Sequence, residues 1–69
     1  MYRIGIDLGG TNIAAGIVNE EFKIVAKASV PTHAEKPAEE IVYAIAGLCK
    51  DVCAKANIDM SEITSVGIA

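Results

Sequence analysis

Ile6-Asp7-Leu8-Gly9-Gly10-Thr11-Asn12 decides how this chain folds, because an apolar run ends there on a carboxylate and is broken by paired glycines. Upstream, Tyr2 to Leu8 is short, apolar and rich in Ile, the pattern of a strand buried on both faces. Gly9-Gly10 reads as a turn, and Ile13 to Val18 resumes an apolar run of strand length. The glycines are expected to supply positive φ and to let backbone N–H groups approach a ligand with no Cβ in the way.

Moving outward, Asn19-Glu20-Glu21 is a second polar break before Phe22 to Val30. Ile24, Ala26, Ala28 and Val30 alternate there with Lys23, Val25, Lys27 and Ser29, which predicts a strand with one wet side at a sheet edge. Breaks this short predict an antiparallel meander, since parallel strands need a crossover of about a dozen residues. Pro31 to Lys36 reads as a polar connector and Pro37 as part of a first helical turn, with Glu39 and Glu40 favourable at the positive end of the helix dipole. Ile41, Val42, Ile45, Leu48, Cys49, Val52, Cys53 and Ala56 recur at helical spacing as one apolar stripe. Asp51 and Lys55 are spaced for an ion pair of about 0.2–0.5 kcal/mol. Gly47 suggests a close approach of helix to sheet, and Asn57 a left-handed helix end with Ile58 folded back over the last turn. After a turn at Asp59 to Glu62, Ser65 to Ala69 reads as a strand reached by a right-handed crossover and parallel to the first. The expected architecture is α/β: a β-β-β-α-β mixed sheet with one long helix.

The 69 residues amount to about half an ordinary domain. At 52% hydrophobic and 22% charged, the chain is too apolar for intrinsic disorder. A chain this short buries only about 60% of its unfolded surface, and two cysteines four apart make no disulfide framework, so residues 1–69 are expected to be part of something larger. Six Lys and Arg against nine Asp and Glu leave no basic stripe for nucleic acid. No apolar run approaches the roughly 20 residues that span a bilayer, and Asp7 interrupts any signal peptide, so a cytoplasmic chain with reduced thiols is expected.

The chemistry-bearing residues are Asp7, Gly9, Gly10, Thr11 and Asn12. Successive turn N–H groups make an anion-binding nest suited to phosphate, with Thr11 and Asn12 adding side-chain donors. Asp7 beside it is sited to hold a hydrated Mg²⁺, which takes one or two carboxylates and keeps several waters. Two other phosphate loops are excluded. The glycines miss the GxGxxG spacing, and Thr11 occupies the Lys position of GxxxxGK[ST]; both motifs also open a helix, whereas a strand is predicted here. Elsewhere the readings are structural. Cys49 and Cys53 share the apolar stripe with no second ligand pair and read as core. His33, between two prolines, reads as a surface residue. Glu39 and Glu40 point about 100° apart and read as helix-start residues, not paired catalytic acids.

The run DLGGTN after an Ile-rich strand resembles the first phosphate motif of the actin-like ATPase (ribonuclease H-like) fold, shared by sugar kinases, actin and heat-shock chaperones. Gly10 resembles the sugar-kinase version, since the chaperones usually carry Thr there. The PTHAEKP connector, the single long helix and the closing SVGIA are similar to the ROK family, specifically its bacterial glucokinases. The resemblance spans the whole chain but only the first part of a family whose members are several times longer. It implies transfer of the γ-phosphoryl group of ATP to glucose or a related hexose, with Mg²⁺, in a protein that commonly forms dimers or tetramers. Asp7 would contact the metal and Gly9, Gly10, Thr11 and Asn12 the nucleotide phosphates. Gly67-Ile68-Ala69 would lead into a Pro-Gly loop beside the sugar. The catalytic Asp, the sugar-binding Glu and His, the adenosine site and the zinc site would all lie beyond residue 69, so the isolated segment is expected to be inactive. With Met1 one residue ahead of the first strand, the kinases fit better than the ROK repressors, which place a winged helix there. The alternatives are a non-catalytic fragment that self-associates through an open sheet edge, or another actin-like ATPase such as an N-acetyl sugar kinase.

Overall fold

In the computed structural model, which describes all 69 residues, the hairpin forms around Gly9-Gly10. Strand β1 (Tyr2–Leu8) runs antiparallel to β2 (Asn12–Val18), and β2 antiparallel to β3 (Ile24–Pro31). Helix α1 (Ala38–Ala56) crosses back, a short 3₁₀ turn (Met60–Glu62) follows, and β4 (Ile63–Ile68) pairs parallel with β1. The sheet order is β3-β2-β1-β4, so the meander and the parallel pairing of the last strand with the first are both as expected. The expected strand over Ser65 to Ala69 instead begins at Ile63, directly after the 3₁₀ turn, which ends at Glu62 where the turn was expected to end. Asp59 caps it with a reciprocal box, its carboxylate accepting from Ser61 N at 3.1 Å while Glu62 accepts from Asp59 N at 3.0 Å.

Strand alternation sorts the two faces. Ile4 and Ile6 of β1 lie opposite Ile17 and Ala15 of β2, and with Ile13 they form the buried face. Leu48, Cys49, Val52 and Cys53 of α1 close over them. Each fully buried aliphatic side chain here contributes about 1.5–3 kcal/mol. The helix lies over β2 and β3. Val66 and Ile68, which share that face through their pairing with Ile4 and Ile6, therefore remain 48% and 60% exposed.

Four local expectations are corrected. Pro37 precedes the helix, with ψ 151° in extended conformation; its carbonyl accepts from Glu40 N at 3.0 Å. Val42 is 63% exposed, because the buried stripe narrows to the helix's second half, where α1 meets the sheet. A Cβ on Gly47 would find nothing within 4 Å, so no close approach explains that glycine. Lys55 does not pair with Asp51: its Nζ reaches the sheet and donates to Lys27 O at 2.9 Å. The helix end is as expected. Asn57 is left-handed at φ 58°, Ile58 N donates to Cys53 O at 2.9 Å and Asn57 N to Ala54 O at 3.1 Å, and Ile58 packs back on the core.

Candidate functional site

Asp7, Gly9, Gly10, Thr11 and Asn12 come together at the end of the β1–β2 hairpin, where β4 also finishes. Asp7 belongs to the sheet face opposite α1, paired with Ala14 of β2. On its other side Ala69 continues the parallel ladder past β4, its N–H donating to Ile6 O at 2.9 Å and its carbonyl accepting from Leu8 N at 3.1 Å. The carboxylate of Asp7 is exposed, makes no hydrogen bond within the chain, and has only methyl side chains on the neighbouring strands. Asn12, two residues before Ala14 on the same strand, presents its side chain to that same face.

The turn is closed by Gly9 N donating to Asn12 O at 3.0 Å. No glycine has positive φ, which corrects the expected reason for the Gly pair. Gly9 is required by crowding: a Cβ there would stand 2.9 Å from the Asn12 carbonyl oxygen. Gly10 is different, with nothing within 4 Å of a Cβ position. The Gly10 and Thr11 N–H groups, both at exposed residues, donate to no acceptor in the chain. Two successive free donors at a turn are what an anion-binding nest requires.

One residue of this site was hidden in the sequence. Thr32, expected to be part of a polar connector, is 7% exposed and is the one buried polar residue. Its Oγ1 donates to Gly9 O at 2.8 Å and its N–H to Thr11 O at 2.9 Å. A hydrogen bond across 23 residues of chain leaves no local pattern that would announce it. His33 next to it is exposed, at φ 53°, with Nδ1 3.2 Å from Glu35 Oε1, in agreement with a surface role. Backbone hydrogen bonding chiefly, with His33 and Lys36 adding, holds the Glu35 carboxyl below its usual range. Cys49 and Cys53 are buried in the core, and burial pushes both thiols up.

No three His, Cys, Asp or Glu side chains gather where they could hold a metal ion between them. The donor set at the turn is a single free carboxylate with open space around it. That set fits Mg²⁺ held with waters and phosphate oxygens completing the shell, and does not fit a closed protein site such as structural zinc.

This mixed sheet, with Asp7 next to last in the inner strand β1 beside a Gly-Gly turn, has the actin-like ATPase fold of its structural neighbours. The chain belongs to the ROK family, which it matches over residues 3–69. It is 54% identical over 65 residues to a glucokinase of Streptomyces coelicolor, covering 94% of this chain and 18% of that protein. A ROK family glucokinase from Streptomyces griseus, solved in complex with glucose and AMPPNP, superposes with a TM-score of 0.82 at 38% identity, over 100% of this chain and 20% of its own. The ROK hexokinase of Thermus thermophilus gives 0.84 at 31% identity, over 99% and 22%. The chain thus spans about a fifth of the length of the relatives it matches.

Proposed function

We propose that residues 1–69 are the phosphate-binding N-terminal portion of an ATP-dependent sugar kinase acting on glucose or a related hexose. The observation that carries this reading is the pair of free N–H groups of Gly10 and Thr11 beside the unpartnered carboxylate of Asp7, in a chain of the ROK family. Support comes from the Streptomyces griseus relative, which binds both glucose and an ATP analogue.

Phosphoryl transfer rests on positioning and on neutralising the charge of the transferred group. In this chain the Gly10 and Thr11 N–H groups would donate to phosphate oxygens, with the Thr11 hydroxyl and Asn12 amide as further donors. Lack of a Cβ at Gly10 lets the phosphates approach the backbone. Asp7 would hold Mg²⁺ through water, and the ion, when bound, spreads the negative charge of the β- and γ-phosphates. No group here is placed as the base that accepts the sugar hydroxyl proton, so the isolated segment is expected to lack turnover.

The test is ADP release by the complete product of the reading frame that encodes this chain, with MgATP and a panel of hexoses. Glucose-dependent turnover is expected. ATP consumption indifferent to sugar would mark another actin-like ATPase and overturn the sugar-kinase reading. A second reading rests on one observation: the outer edge of β4 has no partner strand, and Val66 and Ile68 on its helix-side face are exposed. Such an edge templates association with another chain. Concentration-dependent dimerisation of the 69-residue chain, abolished by Ile68→Lys, would favour it.

A further inference from the structure

We infer that Thr32 is a positioning residue for the phosphate turn, fixing the direction in which the Gly10 N–H points. The inference rests on the reading of the turn as a phosphate site. The peptide unit is planar and trans, so its C=O and N–H point in opposite directions. The carbonyl of Gly9 and the N–H of Gly10 belong to the same unit. Thr32 Oγ1, donating to Gly9 O at 2.8 Å, therefore sets the plane of that peptide and directs the Gly10 N–H away from Thr32, towards the open side of the turn. The Thr32 N–H does the same for the next-but-one peptide through Thr11 O at 2.9 Å. Gly10, with nothing within 4 Å of a Cβ position, lies between these two anchors, inside the turn that Gly9 N closes on Asn12 O at 3.0 Å.

The anchor itself is buried. Thr32 is 7% exposed, follows directly on β3, and makes its hydroxyl bond in a setting where water competes poorly. A hydrogen bond to the carbonyl also polarises the peptide, which strengthens its N–H as a donor to an anion. The hydroxyl is thus expected to act on nucleotide phosphate and not on sugar.

The test is steady-state kinetics of the complete product of this reading frame, varying MgATP and glucose separately, with Thr32→Val, Thr32→Ser and Gly10→Ala. Thr32→Val keeps shape and backbone N–H but deletes the hydroxyl; it is expected to lower kcat/KM for ATP about tenfold, the worth of one hydrogen bond, while KM for glucose stays within about twofold. Thr32→Ser restores the donor and is expected to recover most of that loss. If Thr32→Val does not accumulate as folded protein, Thr32→Cys, a weak donor in the same place, is read the same way. Equal losses for both substrates, or a lowered melting temperature with ATP kinetics unchanged, would reduce Thr32 to a structural role and overturn the inference. Gly10→Ala separates the two layers. If it leaves ATP kinetics intact, or if the wild type does not use ATP at all, the phosphate-turn reading falls and the inference with it. If Gly10→Ala impairs ATP use and Thr32→Val does not, only the role of Thr32 falls.

Discussion

Ala69 brackets Asp7 across the parallel ladder, donating to the residue before it at 2.9 Å and accepting from the residue after it at 3.1 Å. The backbone of Asp7 is thereby held from both sides, by Ala69 on one strand and Ala14 on the other, while its carboxylate is left with no protein partner. A backbone held in the sheet and carrying an uncommitted charge suits a group that acts on a ligand and contributes little to folding.

Asp7→Ala and Asp7→Asn in the complete protein should accordingly lower ATP-dependent turnover by about 10²–10³-fold, the scale of losing one preorganised charge-stabilising group. Far-ultraviolet circular dichroism should stay near wild type, since an exposed side chain without hydrogen bonds is being changed. Unchanged turnover at ordinary Mg²⁺ concentrations would remove Asp7 from the metal.

Gly9 and Gly10 are adjacent in sequence and should respond oppositely to alanine. At Gly9 the new Cβ would stand 2.9 Å from the Asn12 carbonyl oxygen, a backbone atom that cannot swing aside. A loss of about 1–3 kcal/mol is expected, visible as a lowered urea midpoint. At Gly10 there is room and no positive φ, so Gly10→Ala should unfold at or slightly above the wild-type midpoint. Similar midpoints for the two variants would mean that the crowding at Gly9 is relieved by the turn moving.

The elements were legible because each is marked by a short-range pattern. Alternation at Ile24 to Val30 gave the edge strand, the short break at Gly9-Gly10 gave the hairpin, and Asn57-Ile58 gave the helix end. What local pattern could not show was where α1 lies across the sheet. Its position over β2 and β3 exposes Val42 and Ile68, draws Lys55 to Lys27 O and leaves Gly47 without a close neighbour. At the candidate site, Asp7 to Asn12 form one contiguous stretch, so the turn and its exposed donors could be proposed from sequence alone. Thr32 reaches the turn from the far end of β3, and no local pattern encodes a bond formed only when three strands have paired.

The narrowed stripe on α1 can be tested against the wider one read from spacing. Leu48 is 1% exposed among Ile and Val side chains, so Leu48→Ala should cost about 2–5 kcal/mol through lost burial and the cavity left behind. Val42→Ala at the exposed end should change stability by no more than about 0.5 kcal/mol. Equilibrium urea unfolding of both variants in the 69-residue chain distinguishes the two stripes. Comparable losses would place Val42 in the core.

The two core thiols predict how stability responds to alkali. Burial chiefly raises Cys49, with Cys53 adding; burial also raises Cys53, with Asp59 and Glu62 adding. Folding therefore favours the protonated thiols. Below the ordinary thiol value of 9.0 both folded and unfolded chains are protonated, and this contribution is fully present. Above it the unfolded chain ionises first, so stability declines as pH rises until the folded thiols ionise as well. Urea midpoints measured at about pH 8 and about pH 10 should fall more for the wild type than for the variant carrying Cys49→Ala and Cys53→Ala, which has nothing there to ionise. Parallel declines in the two proteins would show that the thiols titrate alike folded and unfolded.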